Sequence, residues 1–107
     1  WLPYYLQRMD GVSERIAKAS GIKLGLKPSE YFRRQMYCTF IDDAVGMANR
    51  HLIGVDRMMW SSDYPHTSST WPNSRKVVER DFADPSAAAD RRKITRENAA
   101  KLYGLTA

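Results

Sequence analysis

A chain of 107 residues is long enough for one small domain and sits near the low end of common domain sizes. With 43% hydrophobic and 27% charged residues it has an ordinary globular composition, which excludes a disordered polymer, and it holds no apolar run long enough to span a membrane. The net charge of +5 is spread over Arg33-Arg34, Arg50, Arg57, Lys76 and Arg91-Arg92-Lys93. No basic stripe interleaves with aromatics, so this charge reads as a solvated surface and no nucleic-acid partner is expected.

The chain opens on Trp1-Leu2-Pro3-Tyr4-Tyr5, with no basic leader and no small-residue cleavage site. It reads like the middle of a longer protein. Cys38 is the only cysteine, so an internal disulfide is excluded. A reducing compartment fits this, and the expected location is the cytoplasm. Cys38 lies in the apolar run Met36 to Ile41 and reads as a small buried side chain rather than a nucleophile.

In chain order, Leu2, Tyr5, Leu6, Met9, Val12 and Ile16 recur at three- and four-residue steps and predict a helix with one apolar face, Pro3 in its first turn. Gly21, Gly25 and Pro28 mark a loop, and Ser29 to Gln35 suits one short helical turn. Met36 to Ile41 predicts a buried strand. Asp42 and Asp43 cap the next helix, whose apolar face is Ala44, Val45, Ala48 and Leu52, and Gly54 ends it. Arg57 to Ser61 predicts a second strand, and Ser62 to Pro72 is irregular.

Val77, Val78 and Phe82 then mark a helix that Asp84-Pro85 breaks. Ser86 caps another through Lys93. Thr95 caps the last one, with Ala99, Leu102 and Tyr103 inward and Gly104 as its stop. The strand-helix-strand order implies an α/β fold with parallel pairing through a right-handed crossover. Two strands leave both outer sheet edges open, so the expected unit is incomplete as a stand-alone domain.

The stretch that carries chemistry is Trp60-Ser61-Ser62-Asp63-Tyr64-Pro65-His66. Asp63 falls just past the second strand, on the edge where parallel α/β folds gather ligands. A carboxylate there binds a metal ion or accepts a proton from bound water. By itself, Asp before an X-Pro step is also an ordinary turn.

Gly54-Val55-Asp56-Arg57-Met58-Met59-Trp60-Ser61-Ser62-Asp63-Tyr64-Pro65-His66 resembles the last-strand motif of the amidohydrolase-related family. That group includes aminocarboxymuconate-semialdehyde decarboxylase and the resorcylate-type decarboxylases. The closing Asn98-Ala99-Ala100-Lys101-Leu102-Tyr103-Gly104, the loop Ser69-Thr70-Trp71-Pro72 and the approach Pro28-Ser29-Glu30-Tyr31-Phe32 follow the same pattern in order. The resemblance implies that residues 1–107 form the C-terminal portion of a catalytic domain, the last part of a (β/α)₈ TIM barrel. Met36 to Ile41 would be its seventh strand and Met58 to Ser61 its eighth.

The same resemblance implies that Asp63 is both the catalytic residue and this chain's metal-facing carboxylate. It implies one divalent ion, zinc or alternatively manganese, with the remaining ligands outside this chain. The family's His-x-His pair has no counterpart here, since His51 and His66 are the only histidines. An isolated chain of this kind is expected to be inactive.

Other residues keep two readings. His66 either lines the substrate pocket or braces the loop on a backbone carbonyl. Trp71 either contacts substrate or packs beside Pro72. His51 reads as a helix-terminal residue. The implied function is hydrolysis of C–O or C–N bonds of a small molecule by metal-activated water. The alternative in the same family is non-oxidative decarboxylation of an aromatic or unsaturated acid. An alternative of another class is a non-catalytic module that binds a partner through its aromatic N-terminus. A homo-oligomeric parent is also expected.

Overall fold

The computed structural model describes residues 1–106 and divides into two units, Trp1–Tyr37 and the remainder of the chain. In the first unit, helix α1 spans Leu2–Ser20 with Pro3 in its first turn. Gly21, at φ 74°, closes it in the left-handed conformation that a side chain would strain. Helix α2, Pro28–Gln35, makes two turns where the sequence suggested one. Proline at its first position costs nothing, because that N–H has no helical partner.

The two helices are tied by a carboxylate. Asp10 Oδ1 accepts from the Ser29 backbone N–H at 2.9 Å and Oδ2 from the Ser29 hydroxyl at 2.7 Å. A side chain of α1 thus satisfies one of the free N–H groups in the first turn of α2. Glu30 Oε2 accepts the Lys27 N–H at 2.7 Å and closes the same turn from within. The apolar stripe read along α1 is only partly covered: Leu6 is buried, while Tyr5, Val12 and Ile16 stand exposed.

The second unit is α/β. Strands β1 (Cys38–Phe40) and β2 (Met58–Trp60) pair in parallel, with Cys38 opposite Met58 and Phe40 opposite Trp60. The Ser61 N–H donates to the Phe40 carbonyl at 2.8 Å and carries the pairing one residue further. The first strand is shorter than the predicted Met36–Ile41. Met36 belongs instead to the end of α2, where its N–H bonds the Phe32 carbonyl, and it is exposed.

The crossover holds two short helices, α3 (Ala44–Ala48) and α4 (Arg50–Ile53), and a 3₁₀ turn, Val55–Arg57. Only one of the two predicted caps acts as one. Asp43 accepts the Gly46 N–H at 2.7 Å, whereas Asp42 pairs with Arg80 at 2.6 Å. The buried face also differs from the predicted one. Val45 and Leu52 are exposed, and Met47, Arg50 and Ile53 are buried. The break at Asn49 splits the stretch into two pieces, each too short for an apolar period to select a face.

After β2 come α5 (Ser74–Asp81), α6 (Pro85–Arg92), a π-helical turn (Lys93–Glu97) and α7 (Asn98–Tyr103). Asp84 rather than Ser86 caps α6, accepting the Ser86 N–H at 2.7 Å with Pro85 in the first turn. Thr95 caps nothing. Its hydroxyl donates back to the Arg91 carbonyl at 2.7 Å inside a helix that runs on. A π turn admits one more residue than an α turn, and this displaces the inward face. Ile94, Asn98 and Ala100 are buried, while Leu102 and Tyr103, expected inside, are exposed. Gly104 ends α7 at φ 65°, as predicted.

Asn98, 5% exposed, fastens α7 to the start of β2. Its Nδ2 donates to the Val55 and Met58 carbonyls, both at 2.8 Å. Asn98→Ala removes a donor from two carbonyls at once and is expected to cost about 1–3 kcal/mol of stability. A urea-unfolding midpoint unchanged from wild type would show that water replaces the amide.

Candidate functional site

The parallel pair delivers the chain at Ser61 to a loop that folds back on itself. The Thr70 N–H and the Ser69 hydroxyl both donate to the Ser62 carbonyl, at 3.1 and 2.8 Å. Inside this closure the His66 N–H bonds the Asp63 carbonyl at 2.9 Å, and the Ser69 N–H bonds the His66 carbonyl at 3.0 Å. The Thr70 and Ser74 hydroxyls, 2.9 Å apart, join the loop's end to the start of α5. A run of Ser and Thr suits such a loop because hydroxyls bond nearby backbone, as those of Ser61, Ser62 and Ser69 do here. Tyr64–Pro65 and Trp71–Pro72 are cis peptides.

Asp63 stands where the sequence placed it, three residues beyond the end of β2. Its backbone is left-handed at φ 57°, the one non-glycine residue so placed among those described. Aspartate tolerates this region better than most side chains, yet the conformation still carries a cost. The carboxylate is 28% exposed. Oδ2 accepts from the Ser68 hydroxyl at 2.6 Å, and Oδ1 meets His66 Nδ1 at 2.9 Å.

The Ser68 hydroxyl bond, and then the bond to His66, hold the Asp63 carboxyl below the usual carboxylate range. Both partners favour the charged form. With the folded value depressed, Asp63 contributes stability that is present above the ordinary carboxylate pKa and is lost as pH falls through the folded one. A carboxyl-carbon NMR titration is expected to find Asp63 protonating below the ordinary aspartate range. An Asp63 midpoint at or above the ordinary aspartate value contradicts the two bonds.

His66 does not brace the loop on a carbonyl. It reaches the carboxylate, and its side chain is 74% exposed. Trp71 is 64% exposed and stands edge-on to Tyr64, with ring centroids 5.9 Å apart. Asp63 and His66 are therefore joined directly, while Trp71 meets its neighbour across the loop rather than either of them. Ser68 is the residue the sequence reading missed. One hydroxyl in a Ser- and Thr-rich loop gives no signal until the turn brings it back five residues.

Two other residues are settled by their surroundings. Cys38 is half-buried, its thiol 3.6 Å from the Arg57 carbonyl, and burial pushes its pKa up. That is the wrong direction for a nucleophile. His51 is exposed, with Nε2 4.0 Å from Asp90.

The donor set fits only part of a metal site. No group of three or more His, Cys, Asp or Glu side chains able to hold an ion occurs among the described residues. A protein metal centre of the zinc type needs at least three protein ligands. Asp63 and His66 offer two donors, and they already bond one another. Among the described residues, too, no helix is long and apolar enough to cross a membrane.

A family model described as amidohydrolase matches residues 22–105. No curated protein matches the chain.

Proposed function

Since the chain belongs to the amidohydrolase family, we propose that it carries the acid–base carboxylate, Asp63, of a metal-dependent enzyme that hydrolyses C–O or C–N bonds of a small molecule. The observation that supports this reading is the Asp63 carboxylate, kept ionised by Ser68 and His66 beyond the end of a parallel strand. That is the edge at which TIM-barrel enzymes place their chemistry. The proposed setting is the closing part of such a barrel, with β1 and β2 as its last two strands.

A bound divalent ion, zinc or manganese, would supply an acidified water as nucleophile. The residues described here do not assemble its ligand shell, so its other ligands are assigned to polypeptide outside this sequence. What the chain's own residues do is hold a charged carboxylate at a fixed place and present His66 and Trp71 at the loop's surface, where a small substrate meets them. The 107-residue chain by itself is then expected to be inactive, and to retain no stoichiometric zinc or manganese after dialysis. Elemental analysis of purified protein checks this, and one tightly held ion per chain would contradict the assignment of ligands.

The second reading, non-oxidative decarboxylation of an aromatic or unsaturated acid within the same family, uses the same carboxylate. Product analysis on the enzyme separates the two. Carbon dioxide released in step with substrate loss selects decarboxylation, and an alcohol or amine together with a carboxylic acid selects hydrolysis.

A further inference from the structure

His66 and His51 each lie near a carboxylate, but through opposite ring nitrogens. For His66 the contact is Nδ1 to Asp63 Oδ1 at 2.9 Å, whereas for His51 it is Nε2 to Asp90 Oδ2 at 4.0 Å. An ionised carboxylate only accepts hydrogen bonds, so the short contact requires the proton to sit on Nδ1. The neutral ring then has a bare lone pair on Nε2.

The carboxylate cannot turn away from this arrangement. Its other oxygen is held by the Ser68 hydroxyl at 2.6 Å, which also has no choice but to donate. The loop that carries all three residues is closed at its base by the two bonds to the Ser62 carbonyl. His66 itself is pinned by its backbone N–H to the Asp63 carbonyl. Its imidazole is nevertheless 74% exposed, so Nε2 faces outward.

We propose that Asp63, steadied by Ser68, locks His66 in the Nδ1–H form, so that Nε2 serves as a fixed hydrogen-bond acceptor for an O–H or N–H group of the substrate. His66 is on this account a residue of substrate specificity, and Ser68 a positioning residue that acts through Asp63. A substrate with a donor in reach of Nε2 is selected. One that offers only acceptors there meets a lone pair and is rejected, the asymmetry by which polar sites discriminate. The acceptor role rests on the proposed site; the tautomer lock does not.

The test is long-range proton–nitrogen NMR on the chain labelled with ¹⁵N-histidine, at about pH 8.5, where imidazole is neutral. With only two histidines, His51→Gln completes the assignment. The expected result is opposite tautomers in one spectrum, Nδ1–H for His66 and Nε2–H for His51. Asp63→Gly, chosen because glycine accepts the left-handed backbone, is expected to invert the His66 ratio. If that variant unfolds, Asp63→Asn keeps the shape without the charge and moves the ratio in the same direction. Ser68→Ala shifts it part of the way, and Ser68→Thr restores it.

A His66 that is mainly Nε2–H in the wild type, or a ratio indifferent to Asp63, overturns the lock. Phenol is the probe for the acceptor role. It is expected to move the His66 Nε2 resonance of the wild type more than that of Asp63→Gly, and more than that of His51. An equal response from both histidines, or none, overturns that role. Because these readings need no turnover, loss of the proposed hydrolase activity and loss of the lock are told apart: an active enzyme with normal turnover in Asp63→Asn would end the first and leave the second standing.

Discussion

In the proposed hydrolase, Asp63→Asn is expected to lower turnover by roughly two orders of magnitude or more, the range for losing a positioned proton-transfer group. The substitution is nearly isosteric, and asparagine is among the few residues that accept a left-handed backbone such as φ 57°. The loop's closure uses the backbone and hydroxyl groups of Ser62, His66, Ser69 and Thr70, none of which changes. The fold is therefore expected to stay intact while the charge disappears. What is lost is a carboxylate held ionised by Ser68 and His66, a group an amide cannot replace as proton acceptor. Steady-state kinetics beside metal analysis decide the matter. Near-normal turnover with unchanged metal content would remove Asp63 from the catalytic step.

Arg50→Ala is expected to be the most destabilising single change in the second unit, at about 3–5 kcal/mol, the cost of breaking a buried ion pair from one side. Arg50 is 6% exposed, and its guanidinium reaches four acceptors. Nε pairs with Asp90 Oδ2 at 2.8 Å, Nη1 donates to the Met47 carbonyl at 3.0 Å, and Nη2 donates to the Ser86 carbonyl at 2.7 Å and the Ser86 hydroxyl at 3.3 Å. One side chain thereby joins α3 and α4 to α6 across 36 and 40 residues of sequence. Deleting it strands the Asp90 carboxylate, 19% exposed, together with two carbonyls.

Arg50→Lys is expected to recover only part of the loss, because a single ammonium cannot address a fork of acceptors. In a double-mutant cycle with Asp90→Asn, the second substitution is expected to cost much less once Arg50 is gone. Chemical denaturation measures the four proteins of the cycle and Arg50→Lys. A loss below about 1 kcal/mol for Arg50→Ala, the size of an exposed pair, would mean that the network is solvated after all.

The sequence by itself determined the punctuation of this chain and the place of its carboxylate. Gly21, Gly54 and Gly104 end helices, and Pro3 stands in a first turn. These outcomes rest on the backbone freedom of one residue and need no distant partner. The strand-helix-strand order likewise sufficed for a parallel pair, since helices between two strands carry the chain back to the end at which the first strand began. The motif after β2 put Asp63 at the strand's end.

Tertiary structure alone decided which faces are buried and what holds the carboxylate. In pieces as short as Ala44–Ala48 and Arg50–Ile53, Val45 and Leu52 look as apolar as Met47 and Ile53. The choice fell to the face that lets Arg50 reach Asp90 and Ser86. Beyond Lys93 a π turn reset the register, so a 3.6-residue period named Leu102 and Tyr103 where Asn98 and Ala100 go inside. Ser68 came to Asp63 because a closed loop returned it there. Local rules act over three or four residues, while these outcomes depend on hydrogen bonds spanning five to more than forty, and on which polar groups find a partner once water has left.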